Sequence, residues 1–286
     1  MLHNIKLYNL LFLIGVIFFS CSKEDYEAQV PTYISINQIT LTTDYATEGS
    51  ASSKITDAWV YINDDLVGVY ELPAKFPVLK EGNVTVKVFA GIIDFTLDQP
   101  RGVRYPFYDP HVEQLNLVAG ETIEINAVVS YATSATFSWL EDFENASLSF
   151  LYHSDSDTVI NKQSVDVKEG VYAGQVYLEN SMDFFEATTV GLTGVPRNAT
   201  PVFLELDLKT NEPVLVGIYT DSGQYSWFTL NTATTWRKCY VDLAGIINTA
   251  PQSSELKVFF GIKEVSALFL TNNPEIYLDN LKLVHF

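Results

Sequence analysis

Asp279 poses the first chemical question in this chain. It lies in Ile276-Tyr277-Leu278-Asp279-Asn280-Leu281-Lys282-Leu283, and strand alternation puts Tyr277, Asp279, Leu281 and Leu283 on one face. An ionised carboxylate among apolar side chains is costly unless it is paired or holds a metal. Two readings stay open. Asp279 binds a cation, or it caps a turn or pairs with Lys or Arg while Asn280 starts a bulge. Cys239 alternates with Val241 and Leu243. It reads as a buried structural thiol with nothing nearby to activate it as a nucleophile.

Familiar catalytic spacings are absent: there is no H-E-x-x-H, no G-x-S-x-G and no P-loop. His3 falls in the leader, while His111, His153 and His285 have no ligand-like spacing and read as surface or turn residues. With 35 acidic residues against 17 basic ones, some carboxylate pair can always be nominated as acid and base, so no pair is informative. The chain reads as non-catalytic. A net charge of −18 opposes nucleic acid and anionic head groups, which leaves both out as ligands.

Stepping along the chain, Lys6 precedes an almost wholly apolar run from Leu7 to Phe19, followed by Ser20 and Cys21. That is a charged n-region and an h-region, shorter than the roughly 20 apolar residues that span a bilayer. The segment resembles a bacterial lipoprotein signal, with Phe18 and Ser20 at the lipobox positions in the looser form of Bacteroidetes lipoproteins. The resemblance implies a covalent lipid on Cys21, which becomes the mature N-terminus and the membrane anchor. Ser22-Lys23-Glu24-Asp25 resembles the export tag that sends such lipoproteins to the outer face of the outer membrane. Residues 1–20 are then a signal peptide, and residues 21–31 an acylated tether.

The rest of the chain shows strand signals and no sustained helical period, so an all-β fold is expected. Ala58–Ile62 and Leu66–Tyr70 flank Asn63-Asp64-Asp65 as a hairpin. Val84, Val86, Val88 and Ala90 alternate with Thr85, Lys87 and Phe89, as do Ile123, Ile125, Ala127 and Val129 with their neighbours. An immunoglobulin-like β-sandwich is expected over 32–130. Trp59–Val88 also resembles PEGA-type surface modules through Val60-Tyr61-Ile62-Asn63 and Leu66-Val67-Gly68. Tyr131–Leu140 has small polar residues and no core period, and reads as a linker over 131–140. Beyond it, short strands with turns between them predict a two-sheet jelly-roll β-sandwich over 141–286. In Val202–Leu208, Leu204, Leu206 and Leu208 point one way and Phe203, Glu205 and Asp207 the other.

Glu141-Asp142-Phe143-Glu144, Trp236–Leu243 and Ile276–Leu283 come in the order found in galactose-binding-like jelly rolls, and Glu141–Phe286 resembles the carbohydrate-binding modules of that family. The resemblance implies a structural Ca2+ held by Glu144 and Asp279, with backbone carbonyls near Lys168–Gly170 as helpers. It also implies glycan binding by exposed aromatics and nearby polar groups. Candidates are Tyr219, Tyr225, Trp227 and Trp236, with Asp221, Gln224 and Asn231 as neighbours; the alternative is that these aromatics are core. Tyr225 and Trp227, which alternate after Ser222-Gly223, are the preferred pair. Asp157-Thr158-Val159 resembles a short Bacteroidetes O-glycosylation sequon.

The expected protein is a surface-anchored lipoprotein that binds glycan through the jelly roll, the first sandwich serving as spacer, with neighbouring outer-membrane proteins as partners. The alternative is a structural or adhesion lipoprotein that binds protein partners and has no glycan site.

Overall fold

The computed structural model describes residues 29–97, 102–179, 182–263 and 273–286. The expected leader, Cys21 and the tether up to residue 28 lie outside the described residues. Among the described residues, no helix is long and apolar enough to cross a membrane.

The first half holds β1 (Thr32–Ile36), β2 (Ile39–Thr42), α1 (Tyr45–Glu48), β3 (Ile55–Ile62), β4 (Asp65–Glu71) and β5 (Ala74–Val78). It continues with β6 (Gly82–Ile93), β7 (Gly102–Arg104), β8 (Tyr108–Asp109), β9 (His111–Leu117), β10 (Thr122–Glu124) and β11 (Ala127–Tyr131). The predicted hairpin forms between β3 and β4. Asn63 and Asp64 take φ of 52° and 68°, the paired left-handed conformation that matches a two-residue turn to strand twist. One layer is built from β10-β1-β5 and β2-β11-β8, the other from β4-β3-β6 with β7 and β9 also on β6. β1 runs parallel to β10, and β2 parallel to β11. Alternate residues such as Ile34, Val60, Val86 and Val88 fill the core between the layers.

The second half holds β12 (Thr136–Glu141), β13 (Phe150–Tyr152), β14 (Asn161–Gln163), β15 (Ala173–Tyr177), β16 (Phe184–Thr189) and β17 (Val202–Thr210). Then come β18 (Val214–Thr220), β19 (Gly223–Leu230), β20 (Ala233–Asp242), α2 (Ala244–Thr249), β21 (Lys257–Lys263) and β22 (Glu275–His285). They form a jelly-roll sandwich. An inner sheet runs β14-β15-β22-β17-β20, with β12 also on β22, and an outer sheet runs β13-β16-β21-β18-β19.

The expected linker over 131–140 is corrected here. Tyr131 ends β11 and is buried, and residues from Thr136 onward form β12 against β22. Trp139 is buried with its ring 5.3 Å from Phe150. Only residues 132–135 connect the two sandwiches.

The sandwiches share a buried junction. Every residue of β17 from Val202 to Leu208 is buried. Leu204, Leu206 and Leu208 enter the jelly-roll core, while Phe203 packs edge-on to Tyr105 at 5.3 Å and Tyr240 to Tyr105 at 5.2 Å. Burying side chains of this size stabilises by about 1.5–3 kcal/mol each. Past the end of β6, the Phe95 N–H donates to Tyr240 O at 3.0 Å, and the Lys54 N–H donates to Tyr240 Oη at 3.1 Å.

The polar groups of the junction are matched across it. Glu205 Oε1 accepts from Tyr105 Oη and Tyr131 Oη, each at 2.7 Å. Lys282 Nζ donates to Ser50 O at 2.5 Å, and burial pushes its ammonium down to about 8.

Candidate functional site

The outer face of the sheet β13-β16-β21-β18-β19 carries a polar cleft, and strand alternation places its residues. On β16, Phe185 and Ala187 enter the core, so Phe184, Glu186 and Thr188 face outward. By the same alternation Leu215, Gly217 and Tyr219 of β18 and Phe259 and Gly261 of β21 face outward. Phe259 is nonetheless fully buried. Its ring lies over Gly217, where a Cβ would come within 2.5 Å of it, and Tyr219 covers it edge-on at 5.5 Å. Glycine at 217 therefore leaves room for the Phe259 ring, which lines the cleft.

Glu186 is the centre of the cleft. It is 5% exposed, and both carboxylate oxygens are held: Tyr219 Oη donates to Oε1 at 2.5 Å and Gln224 Nε2 donates to Oε2 at 2.6 Å. Burial and the neighbouring Glu186 raise the Tyr219 hydroxyl well above the ordinary tyrosine range. Two adjoining hollows of about 630 Å³ and 540 Å³ share His153, Glu186 and Tyr219 as walls. Thr188, Asp221 and Lys257 line the first, and Gln224 lines the second. Exposed Leu151 and Tyr152 add apolar surface at one side. Asp221 is oriented by Ser253 Oγ, which accepts from its N–H at 3.0 Å.

Of the residues expected to bind ligand, Tyr219 and Asp221 lie in this cleft and Tyr225 and Trp227 do not. Tyr225 pairs with Ile218 and packs on the core. A register shift on β19 leaves Trp227 without a partner between Ser226 and Phe228. Its Nε1–H donates to Asp242 O at 2.7 Å, and its ring lies where a Cβ on Gly245 would meet it at 2.8 Å. Trp227 is a bracket for α2. Trp236 donates to Asp166 Oδ1 at 2.7 Å and lies on the inner sheet. Glu186 and His153 were not among the expected ligand-binding residues; the available signal was one carboxylate inside the apolar run Phe184-Phe185-Glu186-Ala187.

The expected metal pair meets a single loop, but through hydrogen-bond donors. Glu144 Oε1 accepts from the Val171 and Tyr172 N–H groups at 2.8 and 2.9 Å. Asp279 Oδ2 accepts from those of Lys168 and Glu169 at 3.2 and 3.1 Å, and Oδ1 from that of Asn280 at 2.8 Å. Ca2+ takes six to eight oxygen ligands, whereas here the loop turns amide hydrogens, not carbonyls, to both carboxylates. Among the described residues no group of three His, Cys, Asp or Glu side chains is arranged to hold a metal. These residues do not fit the ion. Asn280 takes φ of 48° at the β22 register shift, the bulge of the alternative reading. Burial raises Asp279 to about 7, and Asp207 beside it adds to the rise.

No protein-family model matches the chain, and no curated protein matches it. Among solved structures it is similar to a family 11 carbohydrate-binding module of a Clostridium thermocellum cellulosomal cellulase. Identity there is 14%, over 54% of this chain and 96% of that one, with TM-score 0.37. It is also similar to a Stig cyclase of Fischerella at 13% identity, over 54% of this chain and 98% of that one, with TM-score 0.39. The active domain of a bacteriophage CBA120 tailspike matches at 12% identity and TM-score 0.39, over 51% of this chain and only 20% of the tailspike chain. Likeness of this degree carries no functional argument.

Proposed function

We propose that the protein is a non-catalytic carbohydrate-binding protein whose ligand lies in the outer-sheet cleft around Glu186. The observation that carries this reading is the buried Glu186 carboxylate, bridged by Tyr219 and Gln224 at the base of two open, adjoining hollows. A carboxylate offers further lone pairs, and the Gln224 amide and Tyr219 hydroxyl each keep unused hydrogen-bonding capacity. Groups of both kinds held side by side suit vicinal hydroxyls, and Tyr152 and Leu151 offer surface to the apolar face of a sugar ring. Glu255 and Asp221 on one wall and Asp155 and Asp183 on the other favour a neutral glycan over an anionic one. Because both oxygens of Glu186 are already held, it serves recognition better than proton transfer. The Lys6–Cys21 segment supports lipid anchorage at an outer-membrane surface, with the cleft presented outward.

The test is a glycan-array screen of the chain followed by calorimetry with Glu186→Gln and Tyr219→Phe. Saturable binding weakened about tenfold or more by either change supports the reading. A well-folded protein that binds no glycan, or binds equally well in both variants, overturns it and returns the protein-partner alternative.

A further inference from the structure

The end of the first sandwich where the chain enters carries an apolar tip. Val30, Leu79 and Val118 are 58%, 64% and 42% exposed. Single exposed aliphatics are ordinary and call for no explanation, whereas a group of them marks a contact surface. The backbone gathers these three. Thr32 pairs with Val78 across β1 and β5, so Leu79 leaves the sheet beside Pro31. Thr32 Oγ1 donates to Val118 O at 2.7 Å, and the Gly120 N–H donates to Pro31 O at 3.0 Å. The turn after Val118 is thereby held against the entering chain, and a Cβ on Gly120 would lie 3.7 Å from Val30.

Position decides what this tip meets. It lies at the opposite end of the sandwich from the jelly roll. β6 starts at Gly82, which pairs with Leu117, and runs 12 residues to Ile93, after which Phe95 meets Tyr240. At about 3.3 Å per residue, the tip stands roughly 35 Å from the junction. Cys21 precedes Val30 by nine residues, which span at most about 30 Å. A lipid on Cys21 therefore keeps the tip, and not the jelly roll, within reach of a bilayer. The charges beside it suit neutral head groups. Lys80, next to Leu79, pairs with Asp65 at 3.0 Å, and Lys87 pairs with Asp64 at 2.6 Å. Glu81 and Glu121 are exposed and oppose an anionic surface.

We infer that Val30, Leu79 and Val118 seat the first sandwich in the interfacial layer of a bilayer with neutral head groups. The inference rests on the lipid anchorage proposed above and adds a second membrane contact to it. One acyl chain alone holds a protein marginally and reversibly, and apolar side chains that enter the head-group boundary strengthen that hold. The seat also sets which way the molecule stands, with the jelly roll directed away from the membrane.

The test joins a single myristoyl-length chain to Cys21 of the chain from Cys21 to Phe286 through a maleimide, Cys239 being buried. Partition is then measured on phosphatidylcholine–phosphatidylethanolamine vesicles. Leu79→Asp/Val118→Asp should weaken it about tenfold or more, and both side chains are exposed, so the fold should survive. Val165→Asp, on an exposed residue of the jelly roll, should leave partition unchanged. Phosphatidylglycerol in the vesicles should weaken binding. Hydrogen exchange of the wild-type chain should slow on vesicles at 79–82 and 118–121. Equal partition of the double variant, or exchange unchanged at both stretches, overturns the seat. An equal loss in Val165→Asp overturns its assignment to this tip, and tighter binding to anionic vesicles overturns the neutral head group. Anchorage is read separately, from the mass of the N-terminal peptide of protein extracted from cell membranes. An unlipidated Cys21 there, with vesicle seating intact, means that the anchor fails and not the tip.

Discussion

Lys238 Nζ lies 3.4 Å from Glu205 Oε2, diagonally across β20 and β17, with both side chains closed off from solvent. The other oxygen of Glu205 holds two tyrosines of the first sandwich, so a single carboxylate serves both halves of the molecule. Removing one partner of a buried ion pair costs about 3–5 kcal/mol because the remaining charge is left uncompensated. Glu205→Ala should therefore lose stability on that scale in urea denaturation. The wild-type chain should unfold in one transition, with fluorescence and circular dichroism coinciding. Two separated transitions would refute a shared junction.

Trp227→Ala and Tyr219→Phe should act on different properties. Trp227 brackets α2 through Asp242 O and Gly245, so its loss should cost about 1–2 kcal/mol of stability, the scale of one hydrogen bond and a half-buried contact, and leave glycan affinity within about twofold. Tyr219→Phe should weaken glycan binding with a stability loss of only about 1 kcal/mol. Melting curves beside calorimetry separate the two.

Asp279 and Lys282 give the stability curve its pH dependence. Asp279 is raised to about 7 in the fold from the ordinary carboxylate value of 3.8. The native state therefore holds the proton more tightly, and its contribution to stability is lost as pH rises through about 7. Lys282 is lowered to about 8 from 10.5, so the unfolded chain binds more protons between those values and stability rises with pH there. Asp279→Asn should flatten the acid-side slope in urea titrations from pH 4 to 8, whatever its absolute stability. An unchanged slope would remove Asp279 as the cause.

Chelation should leave the fold unmoved. The loop carrying residues 168–172 reaches Glu144 and Asp279 through its amide hydrogens, so EDTA and millimolar Ca2+ should give the same melting temperature. A rise in calcium would restore the metal reading.

Cys239 is fully buried, and burial pushes its thiol up to about 11. In a Cys21→Ser chain, a thiol reagent at neutral pH should label only as fast as the molecule opens, so labelling should follow denaturant in step with unfolding.

Local patterns in the sequence were readable where local chemistry decides the structure. Asn63-Asp64 between two β-rich runs specifies its turn, and Val84–Ala90 shows which face of β6 is buried. The alternation of Val202–Leu208 separates the two faces of β17 correctly. It does not reveal that the face bearing Glu205 and Asp207 is covered as well, because the covering residues Tyr105 and Tyr131 come from the other sandwich. The stretch 136–140 fails as part of the linker for a similar reason: its partner strand lies at the far end of the chain. Tyr225 and Trp227 do not share a face because alternation assumes an unbroken ladder, and the register shift opposite Val216 and Gly217 breaks it, so that Tyr225 packs on the core while Trp227 stays 39% exposed. Glu186 was hidden because its partners Tyr219 and Gln224 lie 33 and 38 residues away along the chain.

The placement of β1 has a mechanical consequence. It runs between β5 and β10, so force applied through the chain ahead of Thr32 pulls along both seams of hydrogen bonds. They must slide together rather than unzip one by one. Resistance to forced opening is a matter of unfolding rate, and the load then crosses to the jelly roll through the buried junction, where Phe203 and Tyr240 pack on Tyr105. Under such a load the two sandwiches move as one piece rather than as beads on a string.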